Sequence, residues 1–521
     1  MSDLLNTGVS ALLSYRKALD TAGHNIANVN TEGYSRQRVE LVSRLGTPQG
    51  DGYIGSGVNT STVQRITDSF VAARIVTDAS AFGRAESLEG VATQLDSWLS
   101  DASTGLSAPF NQFFDSLNDL TANPALSANR QSVISDAESL ASRFQSLQSQ
   151  VDGLQSEVNS RATATVQEIN NLSTSIAGLN ERIVQSRAAA GGQPPNDLLD
   201  QRDQLIQQLA GKIGISTTNA DDGSVNVFTG SGQALVLGQD VGRLSVADDA
   251  FGSGRLDIVF NGAPITAQIG GGTLGGLLDA QREVIQPAQS QLGRIAVALT
   301  ESFNAQHRTG VDASGQPGGD LFTPITGTAY AARSNTGTAA LSIGFSDPSQ
   351  LTDSEYQLRF DGANWQLTDA ATGSVIPTTG TGSVADPFVA QGFSVSVSGS
   401  AVAGDRFLVR PTVNAAGDLD VAISDPARIA AAGAGSGANS SDNTNARALV
   451  DLGALRVLDG GTNTLYSGHT SLVSRVGNQA QQAGVARSSQ ETLLSQSVAA
   501  RDATSGVILD EEASDLVRFQ Q

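Results

Sequence analysis

Residues 140–183 decide the fold, and their sequence is LASRFQSLQSQVDGLQSEVNSRATATVQEINNLSTSIAGLNERI. Apolar side chains recur there with heptad spacing, from Leu140 to Val158 and again from Ile169 to Ile183. This spacing predicts a long helix that packs along one apolar stripe. Between the two runs the phase slips by about one residue, which would relax a supercoil locally. Glycine and proline pairs at 191–192 and 194–195 end the predicted helical arm.

Both ends of the chain carry stripes of the same kind. The first 30 residues place apolar side chains at heptad positions, and residues 465–493 keep that spacing with small residues on the stripe. A last stripe begins near Asp510, after a break at 504–506. An isolated helix is marginal in water. Each terminal stripe therefore needs a partner, which is either the other end of the chain or the same element in a neighbouring copy.

Two internal regions alternate in the manner of strands. Residues 213–272 contain short candidate strands, and residues 322–429 are β-rich with a hairpin turn at Asp361-Gly362. Residues 430–445 are rich in Gly, Ala, Ser and Asn and are predicted to be a linker. The predicted fold class is multidomain α+β, with terminal coiled-coil helices, a long helical-bundle arm and β-rich inserted domains.

The layout predicts three domains, because each terminal stripe pairs best with the other and the β-rich region interrupts the helices. They are a terminal domain of residues 1–45 with 495–521, an arm of residues 46–321 with 430–494 that contains a β subregion at 213–272, and an outer domain of residues 322–429.

Composition argues against several functional classes. Cysteine is absent, and His24, His307 and His469 are the three histidines. The chain has 52 acidic and 31 basic residues, a net charge of -21, so it repels phosphate backbones and no nucleic-acid partner is expected. No apolar run approaches the roughly 18 residues of a membrane helix. The N-terminus lacks the pattern of a cleaved secretory signal.

No catalytic, cofactor-binding or metal-binding group of residues occurs at a recognisable spacing. Residues 270–275 match GxGxxG, but no acidic residue follows at the distance that a dinucleotide site requires, so a flexible strand-to-helix turn is predicted. Asp312 and Asp320 lack the closing Glu of a calcium loop. We therefore expect no enzyme activity, no cofactor and no metal.

The most specific sequence feature follows the first helix. Ala18-Leu19 precede residues 25–36, NIANVNTEGYSR. This run resembles the N-terminal signature shared by the rod, hook and hook-associated proteins, which are the axial proteins of the bacterial flagellum. Within that family, further stretches point to the hook-associated proteins of the hook–filament junction; they are residues 198–203, 303–307, 404–407, 509–513 and 518–521.

The resemblance implies an extracellular structural component of the flagellum, at the hook–filament junction, that is secreted by the flagellar export system without a cleaved signal. The implied partners are the hook protein, the second junction protein, further copies of the chain in a ring-like oligomer, and an export chaperone at the C-terminal end. No membrane partner is implied. The family's last helix usually continues beyond the position of Gln521, so a truncated C-terminus is expected.

The expected assembly interface combines the terminal stripes with the signature segment. It comprises Leu5, Val9, Leu12, Leu19, Asn25, Ile26, Asn28, Asn30, Thr31, Gly33, Tyr34, Arg36, Leu509, Ala513, Leu516 and Phe519. One alternative is another axial protein, of the hook, distal rod or filament. Hook and rod proteins should lack the array at 140–183, and filament proteins should lack the signature in this form. The other alternative is an enzyme on an axial scaffold, which would need a carboxylate pair or a metal triad.

Overall fold

The structure is a computed structural model that describes residues 2–49, 52–101 and 105–520. Long helices occupy both ends and the centre of the chain. The helices are α1 (Ser2–Ala27), α2 (Ser69–Ser100), α3 (Ser107–Ala122), α4 (Ser127–Ala189), α5 (Asn196–Lys212), α6 (Gly272–Asp279), α7 (Gln286–His307), α8 (Thr444–Asp451), α9 (Leu465–Ser505) and α10 (Leu509–Gln520). A π-helical segment, Ala280–Ile285, joins α6 to α7.

The strands form small antiparallel sheets. Near the N-terminus β1 (Gln37–Ser43) pairs with β4 (Val58–Arg65), and β2 (Thr47–Gln49) pairs with β3 (Gly52–Ile54). The central strands are β5 (Ile215–Asn219), β6 (Val225–Thr229), β7 (Ala234–Leu237), β8 (Asp240–Val241), β9 (Leu244–Asp248), β10 (Leu256–Phe260) and β11 (Ala263–Pro264). The outer strands are β12 (Thr328–Ala331), β13 (Ala340–Phe345), β14 (Tyr356–Phe360), β15 (Trp365–Asp369), β16 (Phe388–Ala390), β17 (Phe393–Ser398) and β18 (Arg406–Arg410).

The central sheets pair strands that are neighbours in sequence, whereas the outer sheets also pair distant strands, such as β12 with β18 and β13 with β17. The central strands form a sheet of order β5-β6-β7-β8 and a second of order β11-β10-β9. The outer strands form one sheet of order β12-β18-β14-β15 and another of order β13-β17-β16. Helices at the ends with sheets inserted between them confirm the predicted multidomain α+β class. Among the described residues, no helix is both long and apolar enough to span a membrane.

Helix α4 is the spine of the arm. It runs unbroken for 63 residues, through the predicted phase slip, because Ala162 and Val166 keep the buried stripe continuous between the two heptad runs. Its polar stripe residues bond the sheets that cover it. The Asn180 side chain donates hydrogen bonds of 2.8 Å to the carbonyls of Val225 and Gly238, which satisfies backbone groups that would otherwise be buried and unpaired.

An aromatic cluster closes the core between α3, α4 and α7. The Phe113 ring lies 5.2 Å from the Phe303 ring and 6.0 Å from the Phe322 ring, and Phe110 meets Phe144 edge-to-face at 5.9 Å. Such pairs add about 0.5–1.5 kcal/mol beyond the apolar area that they bury.

The outer sheets are tied to the arm by shared carboxylates. Glu355 accepts from Arg255 at 2.8 Å and from Arg410 at 2.6 Å, and Asp353 accepts from Arg475 of α9 at 2.5 Å. Because Glu355 bonds both a central and an outer arginine, it links the central and outer β regions.

Two local predictions are only partly right. The predicted linker at 430–445 begins as a buried segment: Ala430, Ala431 and Ala432 are inaccessible, and the Ala430 N–H donates to Nε2 of His307 at 2.8 Å. Small side chains, which suggested flexibility, here let the backbone lie against α7 with its amides paired. The predicted flexible turn at 270–275 is closely packed, because a side chain at Gly272 would collide with the backbone of residue 213.

Candidate assembly interface

Helix α1 presents opposite kinds of side chain on its two faces. Ser14, Ala18 and Ala22 are buried, at a spacing of four residues that places them on one face. On the other face Leu5 and Leu12 are each 70% exposed, and Val9 is 53% exposed. The helix therefore packs inside the chain through its small residues and leaves its large apolar residues in solvent. Leu13 is also exposed and shares that face. We call Leu5, Val9, Leu12 and Leu13 the α1 apolar face.

Helix α10 packs against α1 and also keeps apolar side chains exposed. The Tyr15 and Phe519 ring centroids lie 6.0 Å apart, which joins the middle of α1 to the end of α10. Leu509, Val517 and Ala513 are exposed, whereas Leu516 and Phe519 are half-buried. Glu512 is buried, and burial raises the pKa of its carboxyl.

The side chain of Asn25, in the signature segment (residues 25–36), hydrogen-bonds the backbone of its own chain. It is buried; its Nδ2 donates to the Gln37 carbonyl at 2.9 Å, and its Oδ1 accepts from the Gln37 N–H at 3.0 Å. The same Oδ1 accepts from the Tyr34 hydroxyl at 2.8 Å. Burial, followed by the nearby Asp197 and Asp200 carboxylates, raises the pKa of Tyr34, so the hydroxyl stays protonated and donates. These bonds hold the signature turn against the end of α1.

Asp200 fastens this turn to α5. Its Oδ2 accepts from the Ser35 N–H at 3.1 Å, and its Oδ1 accepts from Arg65 Nη1 at 2.6 Å. Burial raises the pKa of the Asp200 carboxyl, while Arg65 opposes that rise. On the neighbouring side, Asn196 Nδ2 donates to Gln37 Oε1 at 3.0 Å. We call Asn25, Tyr34, Gln37, Arg65, Asn196 and Asp200 the elbow network, because it joins the terminal helices to the arm.

Arg36 connects the two ends of the chain. Its N–H donates to the Ser505 carbonyl at 2.7 Å, and its Nη1 lies 2.5 Å from Glu511 Oε2. It therefore holds the turn between α9 and α10 beside the signature segment.

The other predicted interface residues lie around the signature turn. Gly33 has φ 78°, a backbone conformation that favours glycine. Asn28 donates to the His24 carbonyl at 2.9 Å, and Thr31 donates to Asn28 Oδ1 at 3.2 Å. Asn30 and Thr31 are exposed, whereas Leu19, Ile26 and Asn28 are half-buried.

The structure thus brings Asn25, Tyr34 and Arg36 into intramolecular contacts and leaves the α1 apolar face uncovered. The sequence analysis did not identify Gln37, Arg65 and Asn196 as site residues. A signal for the inner face of α1 was present in the small residues at positions 14, 18 and 22, because that spacing allows close helix packing. No local signal marks Arg65, since its partner Asp200 lies 135 residues away in sequence.

Among the described residues, no group of three or more His, Asp or Glu is arranged to hold a metal ion.

Three segments of the chain match known protein families. Residues 92–322 match the family described as "Flagellar hook-associated protein FlgK helical domain", and residues 330–411 match "Flagellar hook-associated protein 1, D2-like domain". Residues 5–34, which contain α1 and most of the signature, match "Flagella basal body rod protein".

Relatives named flagellar hook-associated protein 1 align over the whole chain. The one from Escherichia coli (strain K12) is 31% identical over 100% of this chain and 96% of its own length. The one from Salmonella typhimurium is 32% identical with the same coverage. A solved structure of the flagellar hook junction protein FlgK from Burkholderia pseudomallei superimposes with a TM-score of 0.76 at 26% identity, covering 83% of this chain and 100% of the other. On full-length identity and fold together, the chain belongs to the flagellar hook-associated protein 1 family and is a structural component of the hook–filament junction.

Proposed function

We propose that the α1 apolar face is the surface through which this chain assembles with neighbouring subunits of the flagellum. The observation that carries the proposal is the reversed packing of α1, with small residues inside and leucines outside. Scattered exposed leucines are ordinary on soluble proteins, but several on one helical face form a patch that marks an interaction site. Leu509 and Val517 of α10 add further exposed apolar area.

The partners proposed for this surface are further copies of the chain in a ring, the hook protein on one side and the second junction protein on the other. An export chaperone would cover the C-terminal end before assembly, and the exposed apolar residues of α10 support that role. The chain would leave the cell through the flagellar export system without a cleaved signal. Its role would be structural and not catalytic, which its family membership supports.

Each of the three expected domains would take its own position in the assembly. The terminal domain of residues 1–45 with 495–521 would line the inside of the assembly, and residues 1 and 521 lie outside the described residues. The arm, residues 46–321 with 430–494, would form the middle layer, and residues 322–429 would face outward. Two contacts support this arrangement: Arg36 bonds Ser505 across the termini, and the Thr323 N–H donates to the Asp420 carbonyl at 2.8 Å, so the ends of the insertion lie together.

The test is Leu12→Asp, which places a carboxylate in the α1 apolar face. In the free protein this side chain is exposed, so the melting temperature of the variant should match that of the wild type. In the assembly the carboxylate would be buried, at a cost of several kcal/mol. Cells that express only this variant should secrete it, make few filaments and release filament protein to the medium.

Leu12→Met is the matched control, because it keeps an apolar side chain at the same exposed position. It should leave the number of filaments per cell unchanged. A normal filament count with Leu12→Asp would refute the proposal.

A further inference from the structure

Helix α10 buries a carboxylate and exposes large apolar side chains. Glu512 is 6% exposed and is the one buried residue among those that the structure describes in α10, whereas Leu509 and Val517 are 50% and 54% exposed. A helix that docks on its own chain ordinarily buries apolar residues and leaves charges in water. The docked position of α10 therefore requires a carboxyl group to be removed from water.

Glu512 differs in its partners from the other buried carboxylates of the described chain. Each of the others accepts a hydrogen bond from an arginine, a serine hydroxyl or a backbone amide; they are Asp78, Asp200, Asp249, Asp279, Asp312 and Asp405. Near Glu512 the donor groups are already engaged, because the Asn25 amide donates to the Gln37 carbonyl and Arg36 pairs with Glu511. The Glu512 carboxyl therefore shares both of these donors with other acceptors.

The junction of α10 with α1 and the signature segment gathers charged and titratable groups. They are His24 of α1, Tyr34 and Arg36 of the signature segment, Asp197 and Asp200 of α5, and Glu511, Glu512 and Asp515 of α10. Burial raises the pKa of Glu512, the Asn25 amide and Arg36 oppose that rise, and Asp515 and Glu511 add to it. A proton on Glu512 removes one negative charge from this group and lets the carboxyl donate as well as accept.

We propose that α10 is a proton-sensitive latch of the terminal domain, which docks on α1 while the Glu512 carboxyl is protonated and loosens when that carboxyl ionises. Glu512 lies by Asn25 and Phe519 lies by Tyr15, so α10 runs antiparallel along α1 between residues 25 and 15. Loosening of α10 uncovers that side of α1. The latch is a property of the free chain, so it does not depend on which molecule covers the α1 apolar face.

The direction of the pH effect follows from proton binding. The docked form binds a proton at Glu512 more tightly than the undocked helix does, because burial raises the pKa above its ordinary value of 4.5. Docking is therefore strongest at low pH and weakens as the pH rises through the raised value.

The experiment compares hydrogen exchange of the α10 amides in the wild-type monomer and in Glu512→Gln, at about pH 8 and about pH 5. Glutamine has the shape of a protonated glutamate and carries no charge. A comparison at equal pH cancels the intrinsic pH dependence of exchange, and the amides of α4 report any effect on the arm. At about pH 8 the α10 amides of Glu512→Gln should exchange at least about fivefold more slowly than those of the wild type, since the variant buries no charge. The difference should shrink at about pH 5.

Asp510→Asn is the matched control, because it removes a carboxylate from the same helical turn at an exposed position. It should not slow exchange in α10. Three results would overturn the latch: equal exchange in Glu512→Gln and the wild type at about pH 8, equal slowing by Asp510→Asn, or faster exchange in Glu512→Gln at both pH values. A full wild-type pH response that persists in Glu512→Gln would assign the effect to His24 or another group and would also overturn it.

Discussion

Helices α1 and α4 carry apolar stripes of similar spacing, but the two stripes lie in opposite environments. Leu140 and Phe144 of α4 are fully buried, whereas Leu5 and Leu12 of α1 are exposed. Helix α4 is covered by α3, α5 and the central strands of its own chain. Helix α1 packs mainly against α10 and the β1–β4 hairpin, and the side chains that it buries are the small Ser14, Ala18 and Ala22 together with Asn25. An apolar stripe therefore predicts a helix and a buried surface, but it does not say which molecule covers that surface.

The largest expected effect comes from Phe144→Ala in α4. Removal of a fully buried phenylalanine from a packed aromatic cluster should lower the free energy of unfolding by about 3–5 kcal/mol. Leu12→Ala in α1 should change it by less than about 0.5 kcal/mol, because that side chain is already in solvent. Urea unfolding of the purified monomer measures both. Equal losses for the two variants would show that the α1 apolar face is covered inside the monomer.

A smaller effect is expected at the elbow network that joins the two regions. Asp200→Ala removes the acceptor of the Ser35 N–H and leaves Arg65 with Asp203 alone, which costs about 1–3 kcal/mol. The loss should be local. Hydrogen exchange at Ser35 and Gln37 should accelerate at least about tenfold while the amides of α4 keep their protection.

Asp197→Ala is the control for this variant, because Asp197 is more exposed and contacts the elbow network through the side chain of Gln37, not through a backbone amide. It should accelerate hydrogen exchange at Ser35 and Gln37 less than Asp200→Ala does. Uniform acceleration through α4 in Asp200→Ala would mean that the terminal helices and the arm unfold as one unit.

The smallest effect concerns pH. A fall in pH should change the stability contributions of the buried histidines of the arm and of Glu512 in the terminal region in opposite directions. In the arm, burial lowers the pKa of His307 and of His469. In the unfolded chain both imidazoles bind a proton near pH 6.5, whereas in the folded arm they bind it only at a lower pH. The two histidines therefore lower the stability of the arm as the pH falls below about 6.5. In the terminal region, burial raises the pKa of Glu512. Protonation there favours the folded form, so the terminal helices gain stability as the pH falls through that raised value.

Urea unfolding between pH 7.5 and 5.5 tests the arm. Since Nε2 of His307 accepts the Ala430 N–H, His307→Gln should be less stable than the wild type at pH 7.5 but lose less on acidification. His24→Gln changes an exposed histidine of α1 and should keep the wild-type dependence. An unchanged slope for His307→Gln would show that His307 does not carry the acid sensitivity.

Local pattern was sufficient for much of the fold. The heptad spacing predicted α4 and α9, and alternation predicted β14 at Tyr356–Phe360, because side-chain periodicity reflects backbone geometry directly. It failed at residues 430–432, the start of a stretch whose Ala- and Gly-rich composition suggested a linker. The failure has a physical cause: small residues suit a flexible chain in solvent and a backbone packed closely against α7 equally well.

The candidate site was only partly predictable. The sequence placed Leu5, Leu12 and Tyr34 in a functional region, but it did not separate those that face solvent from those that hold the chain together. Asn25 and Tyr34 turn inward because their hydrogen-bond partners, Gln37 and each other, lie within 12 residues of them in sequence. Their attachment to α5 depends on Asp200, which is 165 residues from its partner Ser35.

The sequence by itself determined the long helices, several of the strands, the α+β class and the family, since these depend on local periodicity and on motifs that can be recognised as written. Only the tertiary structure decided which face of α1 is buried and how the signature segment joins the arm. The physical reason is that burial and ion pairing are set by surfaces brought together from distant parts of the chain. A stripe of leucines has the same spacing whether its own chain or a neighbour covers it.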